Sequence, residues 1–294
     1  MNLMRVGAMF AVVAVIAACK QDGGPFMTEA TPTAGLRYVH IIPDKGAVDV
    51  RIVDALTFAP NTYGATFRTG GSPNGVATAF LPAHLATAAG AHRIKVFRSS
   101  TNPDTAQMVL LDTTLTFTAG INYTFFAYGY TTAGQTPALK AFVTADTATD
   151  PGASVGFRVL HLAPAAVPAS VDVFITAQTT VTPSGTANFS AVGVGTVTGY
   201  RTVATGSYKA MVTPAGTPAT VTAQANAPAG VASTAATATS GALDAIAGTT
   251  QAGSVITAVI VPPSLAASAA PQTAAFLVPT VLFLIDRNPP RTGP

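Results

Sequence analysis

Short alternations of apolar and polar residues run through the chain and are typical of β-strands. Val48, Val50 and Ile52 alternate with Asp49 and Arg51, which is a period of two. Glycine and proline clusters separate such runs, and no stretch beyond the N-terminus has a sustained helical period. The pattern predicts an all-β protein. Further strand-like runs in the first half lie at 36–43, 93–98, 110–117, 122–128 and 138–143.

Two of these segments recur in the second half of the chain. Leu36-Arg-Tyr-Val-His-Ile-Ile-Pro43 returns as Phe157-Arg-Val-Leu-His-Leu-Ala-Pro164, and Ala47-Val-Asp-Val-Arg-Ile52 returns as Ser170-Val-Asp-Val-Phe-Ile175. The offset of about 120 residues is too long for a solenoid unit and suits two tandem domains. We therefore predict two immunoglobulin-like β-sandwiches, at 36–150 and 151–294. Weaker echoes pair Gly90–Phe97 with Gly206–Val212, and Ala119–Phe126 with Ala252–Val259.

The first eighteen residues have the features of a secretory signal peptide. Arg5 precedes an apolar run from Gly7 to Ala18. As a helix this run would rise about 18 Å, which is too short for a hydrocarbon core of about 30 Å. It therefore predicts a signal peptide at 1–18 rather than a membrane anchor. Ile16-Ala-Ala-Cys19 resembles a bacterial lipobox, which implies cleavage between Ala18 and Cys19.

Cys19 is the only cysteine of the chain, so it has no partner for an intramolecular disulfide. We expect its thiol to be acylated, with palmitate as a typical acyl group, because several acyl chains hold a protein stably on a bilayer. The next residue is Lys20, where aspartate would resemble the inner-membrane retention signal of enteric bacteria; the resemblance therefore implies the outer membrane. Residues 19–35 are predicted to be the lipidated cysteine and a flexible tether. An ordinary signal peptide that happens to end near a cysteine is the alternative.

The composition limits the classes of partner. Charged residues make up 9% of the chain and apolar residues 49%, so alanine, threonine, glycine, serine and proline must form much of the surface. The net charge is +3 and the basic residues are scattered, which argues against nucleic acid. Residues 214–250 contain few large apolar side chains and are predicted to be a long loop or thin exposed strands. Residues 274–285 form an apolar run that is too short for a membrane span and is interrupted by Pro279. They are therefore predicted to be the last core strand of the second domain rather than a second membrane segment.

Matched histidines and aspartates are the main candidates for chemistry. His40 and His161 occupy equivalent positions in the two repeats, as do Asp49 and Asp172. One interpretation is a catalytic or metal-binding pair in each domain, although zinc takes three or four ligands. The other is a partly buried histidine that hydrogen-bonds the aspartate or nearby backbone and joins two strands at a turn. We favour the structural interpretation, and we expect no metal, no cofactor and no catalytic residues.

Other polar and aromatic side chains add little chemistry. His84 and His92 have no matched histidine in the second repeat and are predicted to lie on the surface. The strand at 122–128 is rich in aromatic residues, and one of its faces is expected to be core. Tyr128 and Tyr130 belong either to that packing or to a sugar- or protein-binding surface.

The repeated motif resembles a family of bacterial envelope proteins known only as domain of unknown function 4397. Val39-His40-x-x-Pro43-Asp44 with Val48-Asp49-Val50 fits the family pattern. The second copy, His161-x-x-Pro164 with Val171-Asp172-Val173, fits too, except that Ala165 replaces the usual aspartate. The resemblance covers 36–150 and 155–288. It implies an exported β-sandwich that is often in tandem, and it implies no established activity.

Two classes of function follow from the sequence. The first is a non-catalytic, exported and lipid-anchored envelope protein. It would act as a binding, adhesive or structural module towards a glycan, peptidoglycan or an envelope protein. The second is an envelope hydrolase or metal-dependent enzyme that uses the repeated His/Asp pairs. We favour the first class, with the protein on the outer membrane and facing either the periplasm or the outside.

Overall fold

The computed structural model describes residues 31–54, 65–71, 83–164, 167–235 and 241–291, with the backbone alone described for 65–71. The predicted signal peptide, Cys19 and most of the predicted tether lie outside these residues. No helix in the described ranges is long and apolar enough to cross a membrane. Residues Thr33–Pro294 cluster as one compact unit.

The described chain is nearly all β-structure with several sheets, which confirms the all-β sandwich prediction. The immunoglobulin-like type stays a prediction. The first repeat contributes eight strands and a short helix at Pro103–Ala106. Its strands are β1 (Thr33–Ile41), β2 (Val48–Ile52), β3 (Ala65–Gly71), β4 (Leu85–Ala88), β5 (Gly90–Arg98), β6 (Val109–Phe117), β7 (Asn122–Tyr128) and β8 (Lys140–Ala145).

The second repeat contributes eight further strands and a short 3-10 turn at Ala274–Phe276. Its strands are β9 (Val155–His161), β10 (Ser170–Ala177), β11 (Phe189–Gly193), β12 (Arg201–Val203), β13 (Tyr208–Pro214), β14 (Ala223–Asn226), β15 (Val255–Val261) and β16 (Thr280–Arg287).

Each repeat builds two four-stranded sheets, which we call its outer and inner sheet. In repeat 1 the outer sheet has the order β3-β2-β5-β6 and the inner sheet the order β4-β1-β7-β8. Repeat 2 has β11-β10-β13-β14 outside and β12-β9-β15-β16 inside. An apolar core fills each sandwich: residues such as Val50 and Phe125 in repeat 1, and Val173 and Ile256 in repeat 2.

The two inner sheets also pack against each other. A third apolar cluster contains Val39 and Phe126 of repeat 1 with Leu160 and Val259 of repeat 2. Consequently the central strands β9 and β15 are covered on both faces, and every residue of each is buried. This explains why β15 (Val255–Val261) is a nearly continuous apolar run, whereas β2 in an outer sheet alternates.

The C-terminal strand starts later than the sequence predicts. Residues 274–285 were expected to form one strand, but residues 274–276 form the 3-10 turn and β16 begins at Thr280, immediately after Pro279. Proline has no N–H for a sheet ladder, so the strand cannot include it at an interior position. β16 does pack in the inner sheet beside β15, and it continues two residues beyond the predicted end, to Arg287.

Candidate functional site

A polar cluster lies between the two inner sheets, and parallel strand pairing positions it. Arg37 of β1 lies opposite Thr124 of β7, and Arg158 of β9 lies opposite Thr257 of β15. Leu36 and its alternate neighbours face the core of repeat 1. Because successive side chains of a strand point to opposite faces, Arg37 points away from that core and towards repeat 2.

Arg37 reaches from repeat 1 into repeat 2. Its Nε and Nη2 donate to Oγ1 of Thr124 at 3.0 and 2.7 Å. Its Nη1 donates to the carbonyl of Ile285 at 2.7 Å, and its Nη2 donates to Oδ1 of Asp286 at 2.8 Å. Nη2 also lies 3.2 Å from Oδ2 of Asp146. The guanidinium therefore binds one threonine of its own sheet and a carbonyl–carboxylate pair of the other sheet.

Arg158 makes the equivalent set of contacts from repeat 2. Its Nε donates to Oγ1 of Thr257 at 2.6 Å, and its Nη1 donates to the carbonyl of Ala145 at 3.1 Å. Its Nη2 donates to Oδ1 of Asp146. Each arginine thus binds its own threonine, the aspartate of the other repeat and the carbonyl just before that aspartate. This reciprocity is the mark of an isologous interface, in which equivalent surfaces meet about a two-fold axis.

The second oxygen of each aspartate closes the network. Oδ2 of Asp146 accepts a hydrogen bond from Oγ1 of Thr124 at 2.7 Å and lies 2.8 Å from Nε2 of His84. Oδ2 of Asp286 accepts hydrogen bonds from Thr257 and, at 2.9 Å, from the hydroxyl of Tyr200. His84 and Tyr200 thus bind the equivalent aspartate oxygens of the two halves, although they differ in residue type.

The electrostatics of the cluster are balanced. Two arginines face two aspartates, and all four side chains are buried. Burial by itself would raise the pKa of Asp146. The hydrogen bond from His84 and the positive charges of Arg37 and Arg158 outweigh burial and lower that pKa to about 2. Burial and the nearby Asp286 carboxylate raise the pKa of Tyr200, so its hydroxyl remains a donor.

His40 and His161 brace turns through backbone groups. Nε2 of His40 lies 2.9 Å from the carbonyl of Gly46, and the N–H of Ile42 donates to Nδ1 at 3.2 Å. Nε2 of His161 lies 2.9 Å from the carbonyl of Pro168, and the N–H of Ala163 donates to Nδ1 at 3.3 Å. These partners select the neutral imidazole with its proton on Nε2.

Burial keeps both imidazoles neutral. It lowers the pKa of His40 to about 4 and also lowers the pKa of His161. In this arrangement neither ring has a free nitrogen to offer a metal ion. Among the described residues, no three His, Cys, Asp or Glu side chains are grouped closely enough to hold one.

The structure does not bring the predicted His/Asp pairs together. His40 is on the core side of β1, whereas Asp49 lies between Val48 and Val50 of β2, whose side chains face the core. Strand alternation therefore places Asp49 on the outer side of its sheet. In repeat 2, Asp172 is likewise on the outer side of β10, where it accepts hydrogen bonds from backbone N–H groups 2.8 Å away.

Asp44, which fits the family pattern in repeat 1, is held by a set of hydrogen bonds. Its carboxylate accepts hydrogen bonds from the backbone N–H and the hydroxyl of both Thr131 and Thr132, at 2.7–3.1 Å. Burial opposes ionisation, but these donors prevail and lower the pKa of Asp44. The β1–β2 turn is thereby joined to the loop after β7.

One prediction about exposure needs correction, and one alternative that the sequence left open is decided. His84 and His92 were expected on the surface, yet their side chains are 16% and 15% exposed, and each bonds an aspartate, Asp146 and Asp54 respectively. Tyr128 and Tyr130 are buried, and Tyr128 packs in the cluster between the inner sheets. Both tyrosines therefore belong to the packing of the protein, which was the first of the two alternatives, and not to an exposed binding surface.

Sequence reasoning missed the whole interface cluster, although one signal was available. Arg37 and Arg158 recur at the same position in the repeated motif, each between two large apolar residues. A charge that is repeated inside an apolar strand predicts a buried ionic partner. The partners themselves, Asp146 and Asp286, lie at the ends of distant strands and outside the repeated motifs that the sequence analysis compared.

Comparison with known proteins bears on the first repeat. Residues 34–174 match the model of a family described as Domain of unknown function (DUF4397). The chain contains a DUF4397 domain. The match to DUF4397 covers Arg37, Thr124, Asp146 and Arg158, and it runs past the predicted boundary at residue 150 into β10. Among curated proteins no match was found.

Proposed function

We propose that the protein is a non-catalytic cell-envelope lipoprotein in which two tandem DUF4397 domains, both immunoglobulin-like, act as one binding, adhesive or structural module. In this proposal a signal peptide at 1–18 is removed and Cys19 carries palmitate and other acyl chains. The tether then holds the module at the outer membrane. The observation that carries the proposal is the mirrored cluster of Arg37, Asp146, Arg158 and Asp286, which joins the two repeats.

The repeated polar residues support a structural rather than a catalytic use. Arg37 and Arg158 are nearly inaccessible to solvent, and both ring nitrogens of His40 and of His161 are engaged by backbone. A reacting group must instead reach its substrate. The alternative of a hydrolase or metal-dependent enzyme built on His/Asp pairs would also need those side chains to share a site, and the described strands place them on opposite sides of a sheet.

The surface composition favours a neutral or polar partner. Only 9% of the residues are charged, so long-range electrostatic attraction of nucleic acid is weak. Threonine and serine hydroxyls, with backbone groups at the loops, suit hydrogen bonding to a glycan, to peptidoglycan or to a neighbouring envelope protein. Two sandwiches held rigidly would present such loops in a constant relative position.

Protease treatment of intact cells, with native protein and the Cys19→Ser variant, tests the proposal. We expect native protein to fractionate with the outer membrane and Cys19→Ser protein to be released as soluble protein, because it lacks the acyl chains. Cleavage on whole cells would indicate outward display, and protection until the envelope is opened would indicate the periplasmic face. If the variant stays as firmly bound as the native protein, the lipoprotein proposal is wrong.

A further inference from the structure

The starts of β1 and β9 lie at the same end of the molecule. The polar cluster joins Arg37, in the middle of β1, to Arg158, in the middle of β9, through Asp146. Further along both strands, Ile41 and Leu162 belong to the shared apolar cluster. The two strands therefore run in the same sense. We call the end at which they start the tethered end, because the segment from Cys19 enters β1 there.

Three connections of repeat 2 also lie at the tethered end. β10 returns from the far end of β9, and its last residue, Ala177, pairs with the first residue of β13, Tyr208. The loop 178–188 follows Ala177, and the turn 204–207 precedes Tyr208. β14 ends beside the start of β13 and continues into a two-stranded segment, described at 228–235 and 241–250, which we call the ribbon. Its base bonds the same turn, since the N–H of Gly206 donates to the carbonyl of Thr249 at 2.9 Å.

The ribbon has no counterpart at the equivalent connection of repeat 1, which the structure describes, and it is held by its own backbone. Val231 and Ile246 exchange two N–H···O=C hydrogen bonds of 2.9–3.0 Å, as do Thr234 and Leu243. In repeat 1 the corresponding connection is the turn between β6 and β7, at 118–121. The sandwich can therefore close without a ribbon, which points to a role beyond folding.

The loop 178–188, the turn 204–207 and the ribbon expose apolar side chains and carry little charge. Val181 is 85% exposed, Leu243 67%, Ile246 61% and Val231 56%. Across residues 178–188, 204–207 and 227–250 the sequence has one charged residue, Asp244, which pairs with Arg291 at 3.3 Å. Exposed large apolar side chains at one end of a molecule, with a single ion pair beside them, mark an interaction site.

We propose that these four side chains dock on the lipid bilayer in which the acylated Cys19 is anchored. The inference rests on the proposed function, since the anchor supplies the bilayer. About fourteen residues separate Cys19 from the start of β1, so the tethered end stays within about 50 Å of the membrane. Held this close, it gains free energy by placing apolar side chains at the boundary between headgroups and acyl chains.

The chemistry of the ribbon suits a shallow position in the bilayer. Val231 and Ile246 satisfy each other's backbone groups within the ribbon, as do Thr234 and Leu243, which lowers the cost of bringing these positions into the boundary region. Asp244 is the one acidic residue in the sequence of these segments, and its pairing with Arg291 limits repulsion from anionic headgroups. The module would consequently stand on the membrane with its opposite end, around the connection between β15 and β16, facing outward.

The absence of tryptophan from the chain allows a direct test. Leu243→Trp places a fluorophore in the ribbon, and Val278→Trp is the matched control. Val278 is 55% exposed. It lies in the connection that touches the far end of β1, where the N–H of Leu265 donates to the carbonyl of Pro43. Acylated protein is reconstituted in vesicles of phosphatidylethanolamine and phosphatidylglycerol. Its tryptophan emission is compared with that of Cys19→Ser protein that carries the same tryptophan and is dissolved in buffer without detergent.

We expect vesicles to shift Leu243→Trp emission to shorter wavelength and to protect it from aqueous quenchers, while Val278→Trp stays unchanged. A second measurement uses Cys19→Ser protein without the acyl chains. Leu243→Asp together with Ile246→Asp should weaken its partition into the same vesicles by about tenfold or more, since about 1.4 kcal/mol corresponds to tenfold.

The outcomes separate this inference from the proposed function. If native protein floats with the vesicles but neither tryptophan shifts, the anchor is present and the docking inference is wrong. A shift of Val278→Trp alone would also overturn it, because the opposite end would then face the lipid. If native protein is not acylated, the lipoprotein proposal fails. The docking inference is tested separately on unlipidated protein. It is wrong if Leu243→Asp/Ile246→Asp protein partitions into the vesicles as strongly as protein with the native residues at these positions.

Discussion

At the scale of single residues, polar side chains inside this protein are used to satisfy one another and the backbone. Arg37 and Arg158 each donate to a threonine, a carboxylate and a carbonyl. His40 and His161 close turns as neutral rings. A buried charge or polar group without such partners would cost several kcal/mol. The repeated residues are therefore explained by burial, and burial in turn makes two of them sensitive to pH.

The neutral histidines predict a stability that falls in mild acid. The pKa of His40 is lowered by burial to about 4, below its unfolded value of 6.5. Between these values the unfolded chain binds the extra proton, so the free energy of unfolding falls as pH decreases through that window and is fully retained above 6.5. We expect a loss of about 1 kcal/mol per pH unit from His40, measured by chemical denaturation at pH 7.5 and 4.5.

The variant His40→Gln should reduce this pH dependence, because an amide can bond the same backbone groups and does not titrate between pH 4.5 and 7.5. The carboxylate of Asp146, with its pKa of about 2, titrates below the window. An unchanged slope in the variant would contradict the assignment. Stoichiometric metal in native protein that His40→Gln removes would instead favour the metal-dependent alternative.

At the scale of elements, loops after the inner strands are tied down at specific points. In the connection after β7, the N–H of Tyr130 donates to the carbonyl of Pro137, and Asp44 binds Thr131 and Thr132. Gly129 begins this loop with a φ of 99°. A Cβ there would lie 2.6 Å from the carbonyl oxygen of Ala138, so the loop needs both left-handed backbone and the missing side chain.

Two alanine substitutions in that loop separate these requirements. Gly134 also has positive φ, 83°, but a Cβ at this position would meet nothing within 4 Å. We expect Gly134→Ala to lower the free energy of unfolding by about 1 kcal/mol, the cost of left-handed backbone. Gly129→Ala adds a backbone clash and should cost about 3 kcal/mol. Equal losses in thermal denaturation would show that the close approach to Ala138 is unimportant.

At the scale of the whole molecule, the isologous interface makes the two repeats interdependent. Asp286 and Asp146 are each held by the arginine of the other repeat, and the shared apolar cluster lies alongside. Removing one member of a buried ionic cluster leaves an uncompensated charge. The fold is therefore expected to unfold in a single transition even though each repeat has its own core.

Calorimetry of two aspartate variants tests this coupling. We expect native protein to unfold in one transition and Asp286→Ala to lose about 3 kcal/mol or more, because Arg37 is left buried beside fewer anions. The weakened interface should also let the repeats unfold separately. Asp112→Ala is the control: Asp112 also binds two cations, Arg93 and Lys95, but lies on the exposed side of its sheet. A similar effect from both variants would contradict the role of the cluster.

Local order along the chain determined the strands and the repeat. Alternation at Val48–Ile52 and the apolar run of β15 reflect whether one or both faces of a strand are covered, and neighbouring residues report that directly. The repeated motif indicated two equivalent sandwiches. The single cysteine after a short apolar run is the basis of the lipoprotein proposal. That segment lies outside the described residues.

Only the tertiary structure decided which faces meet. Arg37 was visible as a repeated charge, but its partners Asp286 and Ile285 are about 250 residues away and belong to another sheet. His40 was paired with Asp49 on sequence spacing, and strand alternation separates them. Tyr128 could face solvent or core until repeat 2 packed on it. Periodicity is a property of consecutive residues, whereas the partner of a buried polar group depends on how whole sheets pack, and that is not encoded in spacing.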